Sequence, residues 1–201
     1  MRIAILISGR GSNMVALADA IAGGRVGQAE VAIVISDNPG APGLALAEQR
    51  GLKTVVVERR GRPRADHDAD ILAALQEHQV DLVCLAGYMR LLSPEFIQAY
   101  PNRILNIHPS LLPAFPGLHP QRQTLEHGVK WSGCTVHFVD ETLDGGPIID
   151  QAIVPVLDQD TEETLSARIL EQEHQLYANA LALIVSGNYE VVGRRVLRKN
   201  Q

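Results

Sequence analysis

Residues 3–14 read Ile-Ala-Ile-Leu-Ile-Ser-Gly-Arg-Gly-Ser-Asn-Met. The five apolar residues describe a buried strand, and the run is too short, and lacks the cleavage site, for a secretory leader. Gly9 and Gly11 follow at once, and from Asn13 to Ala22 the apolar positions recur at helical spacing. A strand that turns through glycines into a helix is the building unit of an open α/β sheet. Glycines at such a turn let the backbone approach an anion, and the free N–H groups of the helix start complete the cradle. Ser12 and Asn13 add side-chain donors there; a tight turn with an ordinary helix cap is the plainer alternative. A dinucleotide fingerprint would carry a third glycine where this chain has Met14, so a phosphate monoester suits the turn better. The ATP-type loop is excluded, because neither Gly-Lys-Ser nor Gly-Lys-Thr occurs.

The same unit repeats outward from this turn. Val31–Ile35, Lys53–Val57 and Asp81–Ala86 are short, apolar and β-branched, and Gly43–Arg50 and Ala65–His78 between them have helical spacing. Such repetition predicts a Rossmann-like, mainly parallel sheet with helices on both faces. Beyond residue 100 the strands Ile104–Ile107, Gly133–Val139 and Pro147–Val154 have little helix between the last two, which predicts an antiparallel extension. A long helix is expected from Thr161 to Ser186, opened by an Asp160/Glu163 capping box and stopped by Gly187, and a second helix starts at Pro120. Residues 191–201, with Arg194, Arg195, Arg198 and Lys199, read as a strand ending in a short basic tail. No linker or repeat interrupts the chain, so 1–201 is expected to be one domain, with a phosphate-binding half (1–100) and a catalytic half (101–190).

Bulk properties narrow the class. A hydrophobic content of 46% over 201 residues suffices for a full core, whereas no apolar run is long enough to span a bilayer. A net charge of −5 argues against nucleic-acid binding. Cys84 and Cys134 lie in apolar strand-like runs without metal-type spacing, as reduced core residues of a cytoplasmic protein do.

The chemistry is expected where Leu105-Asn106-Ile107-His108-Pro109-Ser110-Leu111-Leu112-Pro113 leaves the sheet, since Pro109 and Pro113 cannot extend a ladder. Asn106 and His108 are two residues apart, so they share one strand face, setting an amide donor beside an imidazole at a strand end. A third feature, Asp140-Glu141-Thr142-Leu143-Asp144-Gly145-Gly146-Pro147, joins two strands. An acidic residue fixed there would favour the charged form of a nearby imidazole; a solvated Asp-Gly turn is the competing reading.

These segments, with Ala86-Gly87-Tyr88-Met89-Arg90-Leu91-Leu92, together resemble the folate-dependent formyltransferase superfamily from residue 3 to about residue 185, and within it the branch that formylates a glycinamide ribotide in de novo purine synthesis. The resemblance implies transfer of a formyl group from N10 of 10-formyltetrahydrofolate, with no metal. It implies that Asn106, His108 and Asp144 are catalytic. It further implies that Gly11, Ser12 and Asn13 hold the ribotide phosphate and that Glu173 contacts the ribotide. Arg64, Met89, Arg90, Leu91, Leu92, Asn106 and Asp140 would contact folate, and Leu112–Pro113 would be a cis peptide. The expected partners are the two small-molecule substrates, and monomer and homodimer both occur in the family. Branches acting on an initiator tRNA or hydrolysing the formyl folate carry an extra terminal domain for which this sequence leaves no room. A non-catalytic Rossmann-type nucleotide-binding domain is the rival from another class, and the Asn106/His108 pair speaks against it.

Remaining polar residues get plainer expectations. His67, His78 and His127 lie in polar helical stretches and read as surface histidines. His137 alternates with Val136 and Phe138, either lining the pocket or satisfied within its strand. His119 and Gly117 shape a loop over the site or cap the helix at Pro120. Arg59, Arg60 and Arg62 read as a solvated basic face.

Overall fold

A computed structural model describes residues 1–199. Nine strands form one sheet: β1 (Arg2–Ile7), β2 (Glu30–Ser36), β3 (Thr54–Val56), β4 (Leu82–Leu85), β5 (Ile104–His108), β6 (Trp131–Phe138), β7 (Ile148–Pro155), β8 (Tyr189–Val192) and β9 (Arg195–Arg198). The helices are α1 (Ser12–Ala22), α2 (Pro42–Glu48), α3 (Arg64–Glu77), α4 (Pro94–Ala99), α5 (Pro120–Glu126) and α6 (Glu162–Ser186). Strand order is β3-β2-β1-β4-β5-β6-β7-β9-β8. The first five run parallel, and β6 and β7 continue antiparallel from β5, as the change of pattern after residue 100 predicts.

The unbroken apolar run of β1 follows from its place in the middle of the parallel half. Ile3, Ile5 and Ile7 face one core with Met14 and Leu17 of α1 and Leu165, Ile169, Tyr177 and Leu181 of α6. Ala4 and Leu6 face the other, with Ile71 and Leu75 of α3 and Phe96 of α4. Alternate side chains of a doubly covered strand must all be apolar. Met14 is buried in the first core, and its Cε packs beneath Gly11 of the turn. Tyr177 is wholly buried, and its hydroxyl lies 3.1 Å from the carbonyls of both Leu85 and Leu105, which ties α6 to the ends of β4 and β5. Cys84 and Cys134 are free and buried, and burial pushes both thiols up to about 12. Among the described residues, no helix is long and apolar enough to cross a membrane.

Several expectations need correction. Residues 191–198 are no tail: with Tyr189 and Glu190 they form the β8–β9 hairpin that completes the sheet, β9 lying beside β7 with Arg198 paired to Asp150 at 3.1 Å. Asn200 and Gln201 lie outside the described residues. The capping box on α6 is Thr161/Thr164, because Asp160 is engaged elsewhere, accepting from Leu157 N and pairing with Arg168 at 2.7 Å. His67 is buried, not a surface residue. It shares the inner face of α3 with Ile71 and Leu75, its Nε2 donates to the Val57 carbonyl at 2.8 Å, and Asp68 beside it accepts from Ser93 N. His78 is half-buried, and His127 is exposed as expected. Arg59 is held at 3.2 Å from the buried Asp37, and Arg62 at 2.7 Å from Asp70, so only Arg60 of that run fits a purely solvated face. Helix α4 was not predicted; Ser93 caps it by accepting from Phe96 N, with Pro94 at its first position.

Candidate active site

The glycine turn is fixed from three sides before any ligand arrives. Ser8 N donates to the Gly87 carbonyl, Ser8 Oγ accepts from Met89 N at 2.9 Å, and Gly43 N donates to the Gly9 carbonyl at 3.0 Å. Gly11 opens α1 in the left-handed region (φ 77°), and Gly43 at the start of α2 packs directly on it. A β-carbon on Gly43 would stand 2.7 Å from Ile7 Cδ1 and 3.0 Å from Gly11 Cα, so the approach of α2 requires glycine there. Sequence reasoning missed Gly43; the Ala41-Pro42-Gly43 helix start was its only local signal.

The turn borders a cavity of about 750 Å³ whose opposite wall is α6. Gly11, Ser12 and Asn13 line it, with Glu173 across from them and Gln121 at its side. Asn13 Nδ2 donates to Glu173 Oε2 at 2.7 Å, while Asn13 Oδ1 is buried with no partner among the described residues. Burial pushes the Glu173 carboxyl above its ordinary value, countered by the Asn13 hydrogen bond and the charge of Arg10. The cavity thus has a donor-rich backbone end and a carboxyl and amide facing one another, suited to an anion carried on a polar, hydroxylated group.

Strand β5 runs to the border of this cavity, which Ile107 and the following Pro109 line, while Asn106 and His108, on the alternate face, lie outside its lining. Asn106 and His108 do share a face. Antiparallel pairing sets Asn106 opposite His137 on β6, and Asn106 Nδ2 donates to His137 Nε2 at 3.2 Å. His137 can accept there because its Nδ1 donates to the Phe138 carbonyl at 2.8 Å, which fixes the tautomer. Burial pulls its pKa below the ordinary imidazole value, keeping the ring neutral and an acceptor. His137 is therefore satisfied within its strand, as one expectation had it, and it orients Asn106 without lining the cavity.

Asp144 completes the group. Its backbone is left-handed (φ 49°), an uncommon state for a non-glycine residue and one over-represented at functional sites. The following Gly145-Gly146 is needed because a β-carbon on Gly146 would overlap the Phe138 carbonyl. The Asp144 carboxyl turns inward: Oδ2 accepts from Gly117 N at 2.8 Å and lies 3.5 Å from His108 Nδ1, and Oδ1 is 3.8 Å from His137 Nε2. His108 is buried, and its Nε2 donates to the Phe115 carbonyl at 2.9 Å. Both ring nitrogens thus face acceptors. Gly117 shapes the loop, as one expectation had it. His119 is the left-handed residue before α5, and its side chain makes no capping bond. The Leu112–Pro113 peptide is cis.

A buried histidine with a carboxylate at one nitrogen, beside an amide donor oriented by a neutral histidine, meets the needs of acyl transfer through an oxyanion. The formyl transferase family profile matches residues 1–181. Phosphoribosylglycinamide formyltransferase of Escherichia coli (strain K12) is 42% identical over 192 residues, covering 95% of this chain and 90% of that protein. The chain belongs to the formyl transferase family. Trifunctional purine biosynthetic protein adenosine-3 of Drosophila melanogaster is 50% identical over 92% of this chain, which spans only 14% of that longer protein. The crystal structure of glycinamide ribonucleotide transformylase 1 from Symbiobacterium toebii superposes with a TM-score of 0.97 at 52% identity, covering all of this chain and 94% of that one.

The residues that the formyl transferase resemblance associates with folate are less closely gathered. Met89 is exposed and lines the cavity rim, Arg90 is half-buried and Leu91 is exposed. Leu92 is buried in the second core beside Tyr88 and Phe96, so it supports that segment from beneath. Asp140 accepts from Thr142 N at 2.8 Å, shaping the loop that delivers Asp144. Arg64 is exposed at the first turn of α3, without an ion pair among the described residues.

Proposed function

We propose that this protein transfers the formyl group of 10-formyltetrahydrofolate to the amino group of 5'-phosphoribosylglycinamide, giving formylglycinamide ribotide and tetrahydrofolate in de novo purine biosynthesis. The supporting observation is the convergence of Asn106, His108 and Asp144, from one strand and a loop, at the end of β5 that borders the cavity beside the glycine turn. In this reading Gly11, Ser12 and Asn13 hold the ribotide phosphate, and Glu173 with Asn13 contacts its ribose. The folate lies against Met89, Arg90, Leu91 and the segment propped by Leu92, near Asn106 and Asp140, with Arg64 toward its acidic tail.

The glycinamide amine attacks the formyl carbon, and the carbonyl oxygen gathers negative charge. The second Nδ2 hydrogen of Asn106, the first being spent on His137, donates to that oxygen, and protonated His108 stabilises it from the other side. One such donor contributes on the order of 3 kcal/mol to the transition state. N10 of the leaving folate takes a proton from His108, and the proton lost by the amine then replaces it on the ring, with Asp144 holding the ring in register. Both partners are small molecules, and the two buried thiols suit a reducing, cytoplasmic compartment.

The test is to mix purified protein with the ribotide and 10-formyltetrahydrofolate and follow deformylated folate by absorbance. Product formation that requires the ribotide is expected. Release of formate at the same rate without acceptor would identify a hydrolase, and inertness would identify a binding domain.

A further inference from the structure

The cavity assigned to the ribotide has a charge imbalance that the glycine turn does not correct. Its charged lining residues are Arg10, Glu162, Glu163 and Glu173, one cation among three carboxyl groups. A phosphate monoester carries roughly −1.5 to −2 charges near neutrality, so acidic walls oppose its entry. Backbone N–H groups at the start of α1 supply partial charges only.

Arg10 sits between the two glycines of the turn, is exposed, and has neither an ion pair nor a side-chain hydrogen bond among the described residues. Several arginines elsewhere are committed, Arg50 to Asp19, Arg59 to Asp37, Arg62 to Asp70, Arg122 to Glu162 and Arg168 to Asp160, and of the uncommitted ones Arg10 is the one that lines this cavity. The Arg122 pair also draws off part of the negative charge of the rim. Arg10 stays within electrostatic range of Glu173 across the cavity, where its charge favours the ionised carboxyl.

We propose that Arg10 is the phosphate-recognising cation of this site, its guanidinium donating to the phosphate oxygens that the α1 backbone leaves free and selecting 5'-phosphorylated acceptors over unphosphorylated ones. The proposal rests on the ribotide reading given above. Guanidinium and phosphate match as a two-pronged, charge-assisted pair. Flanking glycines leave the turn backbone unencumbered, so Arg10 can fold over the ligand once the backbone has engaged it.

The experiment compares ribose 5-phosphate binding, by calorimetry, to the wild type and to Arg10→Gln and Arg10→Lys variants, with a folate analogue as control. Arg10→Gln is expected to weaken ribose 5-phosphate by about tenfold or more, the worth of one charge-assisted pair, with Arg10→Lys in between. Affinity for the folate analogue should match the wild type, and in turnover the loss should fall in KM for the ribotide. Equal ribose 5-phosphate affinity in the wild type and Arg10→Gln, or no binding to the wild type, would overturn the proposal. Arg10-dependent binding of ribose 5-phosphate by a protein that formylates no ribotide would uphold Arg10 as the phosphate ligand and defeat the function proposed above.

Discussion

The two ends of the site, the glycine turn and the exit of β5, are built by opposite means. At the glycine turn the work falls to the backbone: Gly11 in a left-handed state, Gly43 pressed onto it, and the first N–H groups of α1. At the β5 end it falls to side chains, with Asn106, His108, His137 and Asp144 making directed contacts that depend on particular atoms. An anion that only has to be held can be met by dipoles, whereas charge that shifts during a reaction needs groups that give and take protons. Arg10 aside, the first end should therefore be more sensitive to volume than to polar chemistry, and the second the reverse.

Asp144→Asn tests this most severely, because it keeps shape and removes charge. Formyl transfer should fall by about a hundredfold or more while a folate analogue binds within about threefold of wild type. Equal losses in both would make Asp144 a binding residue. Gly43→Ala is the mirror experiment at the other end. The added methyl should displace the turn, raise KM for the ribotide about tenfold and cost about 1–3 kcal/mol of stability, leaving folate affinity intact. A variant with unchanged ribotide KM would deny the turn its role.

His137 gives the pH dependence. Its folded value is depressed below the ordinary 6.5, so the unfolded chain binds the proton more readily. The stability it contributes is fully present above 6.5 and is lost as pH falls from there through the folded value. Urea unfolding of wild type and a His137→Gln variant between about pH 5 and 8 should show a steeper acid decline in the wild type. Parallel curves would mean that the ring is not held neutral. The smallest effect belongs to Thr161→Ala, which removes the α6 cap: about 1 kcal/mol of stability, or a Tm lower by roughly 2–4 °C, is expected.

How legible these ends were follows from the same contrast. The turn announces itself locally, since strand, glycines and helix are consecutive, and the two-residue period put Asn106 and His108 on one face without further help. Asp144 could not be placed beside His108 from spacing, because its position depends on the β5–β6 register, the left-handed residue itself and the Gly117 contact. The family resemblance supplied that residue, and local pattern alone left a solvated turn equally open. His67 was misjudged because acidic neighbours masked its i, i+4 relation to Ile71. Helix α4 is too short for periodicity to register, and the charge of Arg194 and Arg195 concealed a hairpin turn. Asp160 and Thr161 are both good capping residues by type; Arg168, about two helical turns on, decides between them by pairing with Asp160.

The Tyr177 hydroxyl carries a consequence for redesign. Glu173 sits one helical turn before it on α6, and the two carbonyls that the hydroxyl touches are those of Leu105, the residue before Asn106, and of Leu85, which pairs with Asn106 across the sheet. The gap between acceptor pocket and transfer point is thereby gauged by a single rigid spacer, not by adjustable loops. Accommodating a longer amine would mean re-seating that whole helix, so acceptor length should be the hardest property of this scaffold to evolve.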